Sequence, residues 1–197
     1  MGEMIKMIVV LTFLSSFSGG LLAYVKENTE KRIENQVLQL VKGPTIKGIF
    51  KDAENDPMTD RFTIERDKQK LTFFVAKIDG KAQTVAFESS GKGYGGDVGL
   101  MVAVDVSTDK IYGVGVTTHS ETAGLGSRAK DDPSFATQFA GQPILETIQV
   151  AGDGGKINAL SGATITSRAV CAAASQAGET YKRLKPEIEE KLKSITQ

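Results

Sequence analysis

The pattern of apolar and polar positions first separates an uncharged run near the N-terminus from the rest of the 197-residue chain. Residues 7–25 contain no charged side chain. At ~1.5 Å per residue, a helix of this length crosses a hydrocarbon core about 30 Å thick. A signal peptide is the competing interpretation, but the end of the run lacks an A-x-A-like cleavage site. We therefore predict a short N-terminal segment at 1–6 and a transmembrane helix at 7–25.

The region beyond the uncharged run alternates between helical and extended patterns. Residues 26–44 carry apolar side chains on one helical face, which predicts a membrane-proximal helix ended by Gly43-Pro44. The remainder, 45–197, is predicted to be one α+β domain of antiparallel strands and flanking helices. Strands are expected at 62–65, 71–78, 82–88, 100–106, 111–117 and 145–150. Turns are expected at Asp67–Lys70, Asp79-Gly80 and Ser107–Lys110.

Two helices are predicted in the second half of this domain. The first has Asp132 as N-cap, Pro133 in its first turn and Gly141 after its end. The second follows residue 166 and presents one apolar face, formed by Val170, Ala173, Ala177, Tyr181 and Leu184. Pro186 is expected to begin a separate, charged and solvated helix at the C-terminus.

Composition excludes some functions. Lys+Arg and Asp+Glu both number 24, so no charge excess favours a nucleic-acid partner. The single Cys171 cannot form an intramolecular disulfide, and with one histidine it gives no recognised metal-site spacing. We predict neither a metal site nor nucleic-acid binding.

The most informative segment is Asn158–Arg168, between the glycine-rich loop Gly152–Gly155 and the alanine-rich helix. Thr166 or Ser167 is a natural N-cap for that helix, because a hydroxyl accepts from unpaired first-turn N–H groups. A helix N-terminus preceded by small and hydroxyl residues can also hold a phosphate. The residues alone leave both interpretations open.

The sequence Ser161-Gly162-Ala163-Thr164-Ile165-Thr166 resembles a flavinylation signature. This signature is found in the FMN-binding domain of the G subunit of the Rnf electron-transport complex and of the C subunit of the sodium-translocating NADH:quinone reductase. The resemblance implies that Thr164 carries FMN through a phosphoester formed by a separate flavin transferase. It places Ser161, Gly162, Ala163 and Thr166 beside the cofactor. The family usually has an acidic residue where this chain has Asn158.

Two further segments resemble the same family. Gly91–Gly99 superficially matches a dinucleotide-binding fingerprint, but a strand and not a helix is predicted to follow it, so we reject that interpretation. The segment Thr118–Gly126 is similar to a His-x-Glu-Thr-Pro-Gly-Leu-Gly loop, with alanine at 123 in place of proline. The resemblance implies that this loop lies against the flavin ring, through Glu121, Thr122, Gly124, Leu125 and Gly126.

The function implied by the resemblance is electron transfer by covalent FMN in an Rnf complex that couples ferredoxin and NAD oxidoreduction to Na⁺ or H⁺ movement. The chain would not be catalytic alone, and its partners would be the other membrane subunits, the flavin transferase and the bilayer. The resemblance implies that residues 1–6 are a cytoplasmic N-terminus and that the soluble domain lies outside the cytoplasm. The basic residues Lys26, Lys31 and Arg32 after the run favour the opposite orientation, and we follow the resemblance. The C subunit of the quinone reductase and a non-redox module that binds a phosphorylated ligand are the alternatives.

Overall fold

The computed structural model describes residues 2–66 and 69–196, so the first two residues of the turn predicted at Asp67–Lys70 lie outside the described part. The chain divides into two compact units, one ending at Leu40 and the other beginning at Val41.

The first unit is a single long helix, α1 (Gly2–Val37). Its apolar side chains are exposed, and the stretch Gly2–Glu30 is long and apolar enough to cross a membrane. The segment predicted at 7–25 is therefore part of a longer helix, which continues without a break at residue 26.

The predicted end of the helical region at Gly43-Pro44 is wrong. Regular α-helix ends at Val37, a π-helical turn covers Leu38–Lys42, and α2 runs over Gly43–Ile49. Proline stands in the first turn of α2, where a missing N–H sacrifices no intrahelical hydrogen bond. Gly43-Pro44 thus begins a helix instead of ending one.

Five antiparallel strands form one sheet in the order β1-β2-β3-β4-β5. Their bounds are β1 (Arg61–Arg66), β2 (Gln69–Ile78), β3 (Lys81–Lys92), β4 (Asp97–Asp105) and β5 (Lys110–Val116). The hairpin turns predicted at Asp79-Gly80 and before Lys110 are confirmed. Positive φ angles at Asp79 (52°), Gly80 (71°) and Asp109 (55°) are what tight hairpins require.

The sheet is covered on both faces. The helix α5 (Thr164–Thr196) packs on β3 and β4, and α2 packs on β5. At Gly91 in β3 an added Cβ would lie 2.0 Å from the carbonyl oxygen of Ala169 in α5. At Gly115 in β5 an added Cβ would lie 2.4 Å from a methyl carbon of Thr45. Glycine at these two positions therefore lets each helix lie close to the sheet.

The predicted short helix after Asp132 is confirmed as α4 (Pro133–Thr137), which follows the four-residue helix α3 (Arg128–Asp131). The Asp132 side chain accepts a hydrogen bond from the backbone N–H of Ser134, as expected of an N-cap. Phe135 and Phe139 are buried, with ring centroids 5.6 Å apart. These two rings anchor the segment that connects β5 to α5.

The strand predicted at 145–150 is wrong. The segment is irregular and makes one isolated bridge, a parallel one between Val150 and Ile157. The Ile148 N–H donates to the hydroxyl of Ser175 in α5 and not to a neighbouring strand. Close approach to α5 occurs again at Gly178, where an added Cβ would lie 2.1 Å from the Ile144 carbonyl oxygen.

The separate C-terminal helix predicted from Pro186 is also wrong, because α5 runs through this proline to Thr196. Its apolar face continues as buried Leu184, Ile188 and Leu192. Burial of this face supplies the stabilisation that the proline removes.

Candidate functional site

A cavity of about 540 Å³ lies where three segments of the second unit meet. The turn between β3 and β4 forms one wall, the loop after β5 forms the second, and the N-terminal end of α5 forms the third. The cavity is lined by Tyr94, Glu121, Thr122, Leu125, Gly126, Gly162, Ala163, Thr164, Ile165 and Thr166. Its volume falls within the roughly 300–1,000 Å³ of small-molecule sites.

Eight of the ten residues predicted to bind the cofactor line this cavity. They come from two segments about forty positions apart, and the fold brings them together. Ser161 and Gly124 are the two that do not line it. Ser161 is exposed next to Gly162, while Gly124 has a φ of 74° and open space around it. The Gly124 N–H donates to the hydroxyl of Ser127, so this N–H group points to a neighbouring residue and not into the cavity.

Tyr94 and Ile165 line the cavity but were not among the predicted site residues. Tyr94 is 75% exposed and Ile165 49% exposed, so both side chains can present apolar surface to a ligand. Leu125, also at the cavity, is 47% exposed. The sequence signal for Tyr94 was an aromatic residue between glycines, because such a segment has no neighbouring apolar side chains with which the ring could pack.

Glu121 connects the three walls. Its Oε1 accepts from the Gly95 N–H at 2.8 Å, and its Oε2 accepts from the hydroxyl of Thr166. Only 9% of the residue is exposed. Burial acts to raise the pKa of the carboxyl group, but hydrogen bonds from Thr166 and the backbone amides of Gly95 and Tyr94 outweigh it and lower the pKa. The side chain is therefore a buried carboxylate in the cavity wall.

Glycines make room for this carboxylate. An added Cβ at Gly93 would lie 2.5 Å from Glu121 Oε1, and one at Gly126 would lie 2.7 Å from Thr166 Oγ1 and 2.8 Å from Glu121 Oε2. An added Cβ at Gly95 would meet the Ser120 carbonyl oxygen at 2.1 Å. The glycines of the β3–β4 turn thus permit close contact with the loop after β5, and β4 follows them, which confirms that they are not a dinucleotide fingerprint.

The hydroxyls at the start of α5 have different environments. Thr164 is exposed and is the first residue of the helix, whereas Thr166 and Ser167 are 2% and 0% exposed. The prediction that Thr166 or Ser167 is the N-cap is wrong, because both lie inside the first turn. Ser167 Oγ instead accepts from the Leu160 N–H at 2.9 Å and donates to the Ala163 carbonyl oxygen at 3.0 Å. These bonds hold the turn before α5.

Two contacts outside the cavity fix this turn further. Arg168 donates to both carboxylate oxygens of Asp153 at 2.7 Å, which ties the glycine-rich loop to α5. The backbone of Asn158 donates to the Gln138 side chain at 2.7 Å and accepts from it at 3.3 Å. Asn158 itself is exposed. The segment that carries Thr164 is therefore held from both sides while Thr164 remains accessible.

Comparison with known proteins identifies the class of domain. Residues 93–179 match the family described as FMN-binding domain, and this range includes all three walls of the cavity. A solved structure, the C subunit of Na(+)-translocating NADH-quinone reductase from Parabacteroides distasonis, superimposes with a TM-score of 0.52 at 26% identity, covering 59% of this chain and 63% of that chain.

Named relatives give the particular family. The G subunit of the ion-translocating oxidoreductase complex of Haemophilus influenzae is 34% identical over 164 residues, covering 78% of this chain and 76% of the relative. The protein of the same name from Cereibacter sphaeroides is 38% identical over 125 residues, 59% of this chain. That match spans only 56% of the relative's length. The chain belongs to the family of these G subunits, which confirms the family resemblance and the α+β fold expected from it.

Proposed function

We propose that this chain is the FMN-carrying electron-transfer subunit of a membrane-bound ferredoxin:NAD oxidoreductase complex of the Rnf type, which couples redox chemistry to Na⁺ or H⁺ translocation. The observation that carries the proposal is the meeting of two family-like segments, 121–126 and 162–166, around one cavity inside the matched FMN-binding domain. The same match supports FMN as the cofactor.

The residues present fit FMN. Exposed apolar side chains of Tyr94, Leu125 and Ile165 suit the faces of a planar ring, and Glu121 and Thr122 supply polar groups beside them. The N–H groups of Thr164, Ile165 and Thr166 have no carbonyl group four residues earlier within α5, so the helix end suits a phosphate. FMN supplies electron transfer when it is bound, while the protein orients it and sets its electrostatic surroundings.

Thr164 is the proposed attachment point. A transferase must reach the acceptor hydroxyl, and burial closes Thr166 and Ser167 to it. Ser161 is the remaining exposed hydroxyl of the motif, but it does not line the cavity. Thr164 is both exposed and part of the cavity lining. A phosphoester there would place phosphate oxygens at the N-terminal end of α5, where the helix dipole stabilises negative charge.

The proposed location is a cell membrane, with α1 as a single-pass anchor and the second unit on the extracytoplasmic side. The length and exposed apolar surface of Gly2–Glu30 support the anchor. The other subunits of the complex and a flavin transferase are the proposed partners. The similarity to the solved C subunit makes a role in a sodium-translocating quinone reductase the second candidate.

Mass spectrometry of the natively expressed chain tests the proposal. We expect the intact mass of membrane-extracted protein to exceed the sequence mass by one FMN less water, and the peptide containing Thr164 to carry the increase. Thr164→Val should abolish covalent flavin, and Ser161→Ala, the matched control, should retain it. Flavin on the Ser161 hydroxyl would contradict the assignment to Thr164. Unmodified protein without flavin absorbance would contradict the proposed redox function.

A further inference from the structure

Glu121 is an unusual group to find in a cavity wall. It is buried, and its hydrogen-bond donors are a hydroxyl and backbone amides, all of them neutral. Two other carboxylates of the second unit that are partly buried have cationic partners: Glu88 pairs with Lys42 at 2.7 Å, and Asp109 pairs with Lys185 at 2.6 Å. Asp105 also accepts only from neutral groups, those of Ser107 and Thr108, but it does so in an exposed turn. Burying a charge without a counter-ion is costly, so its retention calls for a role.

The geometry gives the charge a fixed position. Hydrogen bonds from two separate walls hold both carboxylate oxygens of Glu121. The backbone also surrounds this side chain closely, because a Cβ added at Gly93 or Gly126 would clash with it. The negative charge is therefore held at one place in the cavity wall. In a site of low dielectric, a fixed charge acts strongly on any nearby group whose charge changes.

We propose that Glu121 sets the redox behaviour of this cavity, its fixed negative charge lowering the midpoint potential of a flavin bound there. This inference rests on the proposed binding of FMN. Uptake of two electrons and one proton adds one negative charge to a flavin ring. An adjacent carboxylate repels that added charge, so reduction becomes less favourable and the potential falls. Glu121 is thus a positioning and tuning residue that need not exchange protons or electrons.

The three walls offer few other ionisable groups near Glu121. His119, on the same loop, acts electrostatically to lower the pKa of Glu121, and its Nδ1 accepts from the Glu121 N–H at 3.3 Å. Tyr94, in the β3–β4 turn, donates to the carboxylate through its backbone amide. The first turn of α5 contributes only uncharged side chains to the cavity, those of Thr164, Ile165 and Thr166. Among the described residues that line the cavity, Glu121 alone is acidic, so neutralising it removes the negative charge contributed by the cavity lining.

The test is a redox titration of the full-length, flavin-loaded chain in detergent, with dithionite as reductant and mediators, followed by flavin absorbance. Glu121→Gln preserves the shape of the side chain and removes its charge, and we expect a more positive midpoint potential. Glu88→Gln removes one negative charge outside the cavity and should leave the potential unchanged.

Equal potentials for wild type and Glu121→Gln at neutral pH, with flavin bound to both, would overturn the inference and leave the proposed function standing. An equal shift in Glu88→Gln would overturn it as well, because the effect would then not be local. Wild-type protein without flavin would refute the proposed function and this inference together. If Glu121→Gln does not fold, Thr166→Val gives a second test. A carboxyl group coupled to the flavin adds an inflection to the plot of midpoint potential against pH. Removing the hydrogen bond from Thr166 raises the pKa of Glu121, so this inflection should move to higher pH, and an unmoved inflection would overturn the inference.

Discussion

Replacing Gly126 with alanine tests whether the contact between Glu121 and Thr166 defines the cavity wall. The new Cβ would lie 2.7 Å from Glu121 Cβ, 2.7 Å from Thr166 Oγ1 and 2.8 Å from Glu121 Oε2, distances that force one of the two side chains to move. Both are buried, so the movement breaks their hydrogen bond. A hydrogen bond to a charged group contributes about 1.5–3 kcal/mol. For a chain of this size, such a loss lowers the melting temperature by roughly 3–12 °C.

Thermal unfolding of the full-length chain in detergent, followed by circular dichroism, measures this loss. A Thr166→Ala background provides the decisive comparison. The Gly126→Ala change should cost less there, because Thr166 Oγ1 and its hydrogen bond are already absent, and contacting residues couple by about 0.5–3 kcal/mol. Gly124→Ala, the control, strains a backbone with φ of 74° but meets no atom within 4 Å, so its cost should be the same in both backgrounds. Equal costs of Gly126→Ala in the two backgrounds would refute the reasoning.

Two further predictions concern the packing of the sheet and the orientation of the chain. Gly91→Ala places a Cβ 2.0 Å from a carbonyl oxygen of α5 and should destabilise the chain by about 1–3 kcal/mol or more. The control, Gly152→Ala, has nothing within 4 Å of the added Cβ and should change the melting temperature little. Equal stability of the two variants would contradict the close approach of α5 to β3. If the second unit is extracytoplasmic, a new cysteine at the exposed Lys51 in a Cys171→Ala background should react with an impermeant thiol reagent on intact cells, and labelling only after lysis would contradict that orientation.

The strands and their hairpins were predictable because their causes are local. Alternating apolar side chains and residues that tolerate positive φ, such as Asp79 and Gly80, act within a few positions of the chain. The segment at 145–150 has the same apolar character, yet it is irregular because it packs along α5 and bonds to Ser175. Periodicity alone does not distinguish a strand from such a segment. Likewise, Pro186 suggested a helix start, and only the buried face of α5 explains why the helix continues.

Most of the residues that line the cavity were predicted from the sequence, but their arrangement in space was not. Similarity to known motifs indicated both segments that line the cavity. It did not indicate the hydrogen bond between Glu121 and Thr166, which joins residues 45 positions apart. The prediction that Thr166 or Ser167 caps α5 failed for the same reason. The Thr166 hydroxyl donates to Glu121, a tertiary partner that a rule based on neighbours along the chain does not include, and the Ser167 hydroxyl bonds to Leu160 and Ala163 in the turn before the helix.

That hydrogen bond also explains how the motif can present one threonine while burying another. In an α-helix with 3.6 residues per turn, positions two apart point about 200° away from each other. Glu121 holds Thr166 inward, so Thr164 is turned towards the outside of the first turn, as its exposure shows. A weakened Glu121 contact would allow the first turn to rotate or fray. If Thr164 is the modified residue, as we propose, its selection would then depend on a carboxylate that belongs to a different segment of the chain.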